Sequence, residues 1–294
     1  MTDMIDDVDF SEELISGEVV GWSHIGVHCI DEISSLINVE DYSTTSHYRG
    51  LYGLDSQIRL LNNILYHAIR SHGRLTSHTV LQGPPGCGKT SLLTAVERII
   101  GENGVLKIDA TKTTRAGLER LFFNELPQIP PVILLEEIEK SNPDDLMIYL
   151  GMLDSRQEIR KVTSRGSFVR RVNSLVIATC NDMDKFERVA AGALASRFAT
   201  QIHFPRPNID ILKMILCRYS NDHGIDNAPV DQVLELSQDC NITDPRRLCS
   251  YLLQSNFDDV RSNLAMKMFK RQPSKRKIDP VELNNIIMKG SGVM

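Results

Sequence analysis

Residues 79–91 constrain this chain more than any other stretch. They read Thr-Val-Leu-Gln-Gly-Pro-Pro-Gly-Cys-Gly-Lys-Thr-Ser, so Gly83 to Thr90 carry the spacing Gly, four residues, Gly-Lys-Thr. The context is ordered: a short apolar strand pattern at Thr79 to Leu81 precedes the loop, and a helical stripe (Leu92, Leu93, Val96, Ile99, Ile100) follows it. Gly83, Gly86 and Gly88 let the backbone turn tightly, which turns its N–H groups toward a polyphosphate. Lys89 has the reach for β and γ phosphates, and the Thr90 hydroxyl suits Mg²⁺. The helix that starts near Thr90 adds the positive end of its dipole. The whole run Gly83, Pro84, Pro85, Gly86, Cys87, Gly88, Lys89, Thr90 and Ser91 is therefore the expected cradle for a nucleotide and its Mg²⁺.

The pattern around the loop sets the fold class. Leu54 to Ile69 has a helical stripe (Ile58, Leu61, Ile64, Leu65, Ile69), with Asp55 or Ser56 placed to cap it. After the loop, strand and helix signals alternate. Val105 to Ile108 reads as a strand, Ala116 to Phe123 as a helix and Val132 to Leu135 as a strand. Asp144 to Leu153 reads as a helix opened by Asn142 or Pro143, then Leu175 to Ala178 and Gln201 to Phe204 read as strands. Strands that are apolar throughout imply a parallel sheet covered by helices on both faces, an α/β domain. After Pro205-Arg206-Pro207 only helical stripes remain: Ile209 to Tyr219, Val233 to Leu236, Arg247 to Leu253, Val260 to Phe269 and Val281 to Ile287. The expected organisation is an N-terminal segment over 1–45, an α/β nucleotide-binding domain over 46–207 and a small all-helical lid over 208–294.

In an open parallel sheet, ligands bind at the carboxyl ends of the strands. The run Val132 to Leu135 ends in Glu136 and Glu137, and nucleotide hydrolysis needs one carboxylate near Mg²⁺ and one base for water. Glu139 and Lys140 extend the charge and by themselves read as an exposed turn.

At this point the chain resembles the AAA+ ATPases. The resemblance rests on the phosphate loop, the acidic strand end, Thr179-Cys180-Asn181, Ala193-Leu194-Ala195-Ser196-Arg197-Phe198 and Asp244-Pro245-Arg246-Arg247, in the family's order, across roughly residues 46–290. It implies ATP as the nucleotide, with Thr90 and Glu136 holding Mg²⁺ (Glu136 through water) and Glu137 as the base. It implies Asn181 as the first sensor, Arg197 as an arginine finger directed at a neighbouring subunit, and Arg246 as the second sensor. Arg49 to Leu54, with Tyr52 and Gly53, resembles the stretch that frames the adenine. It also implies a homo-oligomer, as a hexamer-like ring or spiral. Glu136 departs from the family's usual Asp, and the added methylene shifts its reach toward the Mg²⁺ shell, which points to slow turnover.

Two substrate classes follow. Ile159 to Thr163 and Ser167 to Val172 read as a hairpin joined at Ser164-Arg165-Gly166. Arg156, Arg160, Lys161, Arg165, Arg170 and Arg171 make it basic, and Lys267 to Lys277 form a second basic segment, both suited to a phosphate backbone. This favours a DNA-associated motor or loader, similar to the bacterial branch-migration motor or to clamp loaders. The alternatives are a protein remodeller of the MoxR or Lon type and an ATP-gated scaffold with slow hydrolysis. Residues 111–116 carry no aromatic, which disfavours simple polypeptide threading. Residues 1–48 hold eleven Asp or Glu and no Lys or Arg, an arm suited to a basic surface on a protein partner. No apolar run approaches the roughly 18 residues of a membrane helix. Six scattered cysteines without a CxxC pair fit a reducing compartment, so the expected location is the cytoplasm, or the host cytoplasm for a viral chain.

Overall fold

The computed structural model describes Trp22, Ile25 and residues 27–164, 166–189 and 192–253. The elements are α1 (Val27–Leu36), α2 (Asp55–Arg70), β1 (Thr79–Gln82), α3 (Lys89–Ile100), β2 (Val105–Asp109), α4 (Arg115–Arg120), β3 (Val132–Glu136) and α5 (Pro143–Leu153). There follow β4 (Glu158–Thr163), β5 (Gly166–Arg171), β6 (Leu175–Cys180), α6 (Met183–Val189), β7 (Thr200–His203), α7 (Ile209–Asp222), α8 (Val230–Asp239) and α9 (Pro245–Tyr251). The described chain falls into two compact units divided after Phe204, with the loop residues Pro85–Cys87 grouped with the second.

The first unit is built on a five-stranded sheet in the order β2-β3-β6-β1-β7, parallel throughout. Its central strands are buried on both faces. Val80, Ile133, Leu135, Val176 and Ala178 join one core cluster with Phe122, Tyr149 and Phe186. Their alternates Leu81, Leu134 and Ile177, which point to the opposite face, are equally buried. Two-sided burial is why these strands read as unbroken apolar runs rather than as alternating ones. The apolar stripe of α2 (Ile58, Leu61, Leu65, Ile69) and that of α3 (Leu92, Leu93, Val96) are also buried.

Residues before α2 belong to the same unit. Ile33 and Leu36 of α1 are buried, and Tyr42 and Tyr48 meet edge to face at 5.6 Å between ring centroids. Trp22 is 2% exposed. Its indole N–H donates to the Asn173 carbonyl, and a Cβ added to Gly73 would lie within 2.7 Å of the indole ring.

Some local expectations need correction. Neither Asp55 nor Ser56 caps α2: the helix starts after Leu54 with no side-chain cap. The Asp55 carboxylate accepts from the Tyr42 backbone N–H instead, at 3.0 Å, so it ties the preceding segment down. The helix expected over 116–123 ends at Arg120 and passes into a π turn, Leu121–Glu125. The last strand is shifted by one residue, and Phe204 donates its N–H to the Gln82 carbonyl just beyond the ladder. The hairpin is present as a separate antiparallel pair, with Thr163 opposite Gly166 at its closed end. Gly166, at φ +130°, supplies the conformation the turn needs.

The second unit packs α7, α8 and α9 around Leu216, Val233 and Leu248. Asn208 caps α7 through the Ile211 N–H, and Asp244 caps α9 through the Arg246 N–H. The helices expected over 260–269 and 281–287, the basic segment 267–277 and most of the acidic arm lie outside the described residues.

His78 immediately precedes β1 and is 6% exposed, its Nδ1 accepting from the Val176 N–H at 3.2 Å. Burial lowers its pKa from 6.5 to about 4. The unfolded chain therefore binds the extra proton between these values, so the stability His78 contributes is full above about pH 6.5 and is lost as pH falls toward 4. The maximum effect is about 3 kcal/mol. His78→Asn keeps an acceptor for Val176, so urea unfolding of that variant is expected to show a shallower stability loss than the parent across this pH window.

Candidate nucleotide site

Strand register assembles the site. Leu81 lies opposite Thr179 and Gln82 opposite Cys180, while Leu135 lies opposite Ala178. The carboxyl ends of β1, β6 and β3 therefore sit side by side, and each releases its functional residues at the same edge. The Gly83 N–H donates to the Cys180 carbonyl at 3.1 Å, which fixes the first turn of the loop against β6.

The loop conformation requires its glycines. Gly83, Gly86 and Gly88 have φ of +157°, +81° and +97°. Gly88 is also close to the segment before α2: a Cβ there would lie 3.0 Å from Leu54 Cδ1 and 3.5 Å from Leu51 Cδ2. The stretch containing Tyr52 and Gly53 is thus brought beside the loop, with Gly53 itself at φ +66°. Lys89 opens α3 and is 6% exposed. Its ammonium donates to the carbonyls of Gly83 at 2.6 Å and Pro84 at 2.9 Å, an arrangement that keeps a buried cation hydrogen-bonded. Thr90 and Ser91 are exposed on the first turn of α3.

The acidic edge is tightly cross-linked. Glu136 closes β3 and is half-buried. Glu137 adopts the left-handed conformation at φ +55°, and its backbone N–H donates to Thr179 Oγ1 at 3.0 Å. That bond turns the chain sharply away from the strand. The Glu137 carboxylate meets Lys140 Nζ at 2.7 Å. Asn181 Nδ2 donates to Glu139 Oε1 at 2.9 Å and reaches Glu137 Oε1 at 3.3 Å. Glu137 and Asn181 are therefore adjacent.

Glu139 is the residue that sequence reasoning missed. As a charge in an acidic turn it reads as solvated, yet it is 2% exposed and its Oε2 has no hydrogen-bond partner among the described residues. Burying an acceptor without a partner costs about 1–3 kcal/mol, and more for a charged group. The only sequence signal is its place directly after Ile138, which is fully buried and pulls the short 3₁₀ turn Ile138–Lys140 inward. Cys180 lies on the same side: burial first, then the Glu139 charge, pushes its thiol pKa up to about 12, so it is held as a neutral thiol.

Arg197 ends the 3₁₀ turn Ala195–Arg197, with its guanidinium Nη1 2.7 Å from Asp154 Oδ1 of the same chain. The Ser155 N–H, then Arg197, lowers the Asp154 pKa. Arg246 is exposed in the first turn of α9, its Nε 3.3 Å from Asp244 Oδ1, and belongs to the second unit. Among the described residues no cluster of His, Cys, Asp and Glu is arranged to hold a metal by itself, and no helix is long and apolar enough to cross a membrane.

A glycine cradle after the first strand of a parallel sheet, with acids and a polar side chain at the next strand ends, defines a P-loop nucleotide-binding fold. Residues 79–206 match the model of the ATPase family associated with various cellular activities (AAA), so the chain carries an AAA domain on the AAA+ P-loop fold. Among curated proteins it is similar to the Clp protease ATP-binding subunit ClpC of Staphylococcus epidermidis, 28% identical over 203 residues, covering 60% of this chain and 24% of that protein. It is similarly related to the ClpA homologue of Trieres chinensis, 28% identical over 187 residues, covering 55% of this chain and 20% of the relative. The chain thus spans about a quarter of the length of the curated relatives it matches. Among solved structures, a closed-state Hsp104 reconstruction superposes with a TM-score of 0.52 at 17% identity, covering 84% of this chain and 48% of that one. A RuvB variant of Thermotoga maritima superposes at 0.51 with 15% identity, covering 82% and 69%.

The loop geometry generates a direct test. Gly88→Ala places a side chain at a left-handed φ and against Leu54, and is expected to lower stability in urea unfolding by about 1–3 kcal/mol. Ser91→Ala, exposed on the next turn, is expected to leave stability within about 0.5 kcal/mol.

Proposed function

We propose that this chain binds Mg²⁺-ATP in the Gly83–Thr90 loop and hydrolyses it, working as an oligomeric ring or spiral with the nucleotide at a subunit boundary. The observation that carries this reading is the convergence of Lys89, Glu137 and Asn181 at neighbouring strand ends. The residues present suit the nucleotide. Positive-φ glycines let backbone N–H groups face phosphate oxygens. Lys89 exchanges its bonds to the Gly83 and Pro84 carbonyls for phosphate oxygens, and it stays hydrogen-bonded in both arrangements. Tyr52 and Gly53 frame the base. Thr90 and the half-buried Glu136 are the residues suited to the Mg²⁺ shell; the ion would neutralise phosphate charge.

Glu137 acts as the base toward water. To do so it leaves Lys140, an exposed ion pair of little net energy. Asn181 orients that water. Arg197 serves the neighbouring subunit's nucleotide after leaving Asp154, again a partly exposed and weak pair. Arg246, in the second unit, keeps the sensor role that its motif implies.

For the substrate, the hairpin favours polypeptide. Three of its expected phosphate-binding arginines are engaged: Arg160 and Arg171 pair with Glu158, and Arg170 donates to the Phe122 and Pro127 carbonyls. Beside these charges the hairpin exposes apolar side chains, with Val162 79%, Phe168 47% and Val169 51% exposed. Similarity to Clp ATP-binding subunits supports the same reading. DNA is the second reading, favoured by Arg156 and by the basic segment 267–277.

The deciding measurement is Mg²⁺-ATP turnover with an unfolded protein, with single- and double-stranded DNA, and with neither, across salt. Stimulation by unfolded protein is expected. Stimulation by DNA alone, fading steeply with salt, overturns the polypeptide reading. Lys89→Ala is expected to remove ATP binding by calorimetry. Arg197→Ala is expected to lower turnover by about 10³-fold or more while leaving ATP affinity within twofold; unchanged turnover refutes the finger role.

A further inference from the structure

We propose that Glu139 is a positioning residue that fixes the orientation of the Asn181 side chain for ATP hydrolysis, an inference that rests on the function proposed above. A primary amide nitrogen carries two hydrogens, and here it reaches two carboxylates, Glu139 Oε1 at 2.9 Å and Glu137 Oε1 at 3.3 Å. The two acids differ. Glu137 is part-exposed and shared with Lys140, so its carboxylate is free to turn toward water. Glu139 is 2% exposed and anchored beside the buried Ile138, so it stays in place. An ionised carboxylate only accepts hydrogen bonds. It therefore admits the nitrogen of Asn181 and repels the carbonyl oxygen, so the amide is held in one of its two orientations. When Glu137 turns away to activate water, one Asn181 hydrogen remains on Glu139 and the other is released toward the reacting phosphate. An amide at 139 would offer a donor in place of one acceptor oxygen and so permit the reversed Asn181.

The test is a double-mutant cycle of Glu139→Gln and Asn181→Ala on the full chain. Alone, Glu139→Gln is expected to lower kcat at least fivefold with ATP affinity changed less than twofold. On Asn181→Ala it is expected to cost less than twofold further. Equal losses in both backgrounds, or wild-type kcat in Glu139→Gln, overturn the proposal. A second readout is the Asn181 side-chain amide signal in ¹⁵N-labelled protein, identified by its loss in Asn181→Ala. Slow hydrogen exchange in the parent that becomes fast in Glu139→Gln supports the hold, and unchanged exchange overturns it. Should the parent hydrolyse no ATP, the functional reading fails, and the amide signal still decides whether Glu139 fixes Asn181.

Discussion

Parallel pairing of β3, β6 and β1 is the constraint on which the rest depends. A one-residue slip would send each strand's side chains to the opposite face. Here the register is pinned by two-sided burial of runs such as Val132–Leu135 and Leu175–Ala178. Because the three strands end nearly level, the loop, Glu137 and Asn181 need little further help to meet. The Thr179 hydroxyl completes the join by accepting the Glu137 N–H. Long-range order thus places groups that are 44 residues apart in sequence, Asn181 and Glu137, within hydrogen-bond reach.

Much of this was legible beforehand, for identifiable reasons. The loop was readable because its glycines are a backbone necessity and Lys89 a fixed step beyond them. The strands were readable because burial on both faces removes the ambiguity of alternation. The hairpin was found at nearly its true bounds from its β-branched residues and Gly166. Helix caps were harder. Asp55 looked like a cap, but its carboxylate serves Tyr42, a partner that only the tertiary fold supplies. The π turn after Arg120 was likewise invisible, since Leu121 to Phe123 continues a helical pattern. Glu139 escaped notice because an acid in an acidic turn has no local signature of burial. The partners of the hairpin's charges were hidden for a different reason: composition counts arginines, while Glu158 and backbone carbonyls decide what Arg160 and Arg170 touch.

Electrostatics at the site share a logic. Lys89, Arg197 and Glu137 each have a partner within the chain, and for Arg197 and Glu137 the partner is part-exposed. Such pairs keep the groups ordered at small energetic cost and are cheaply exchanged. Asp154 also stands at the end of α5, shortly before the hairpin, so Arg197 is tied to the segment that leads to β4. Glu139, by contrast, is an acid held by burial and its bond to Asn181 rather than by an exchangeable ion pair. The site therefore combines exchangeable contacts with one fixed reference.

The seating of Trp22 has a practical corollary. It is the sole tryptophan in the chain, its ring is enclosed over Gly73, and its N–H is bonded to the carbonyl of Asn173, between β5 and β6. Any event that dislodges the N-terminal segment, or shifts the strand that ends at Cys180, will wet that indole and redden its emission. The molecule carries a built-in optical gauge of its own amino-terminal anchorage, legible without attaching a dye.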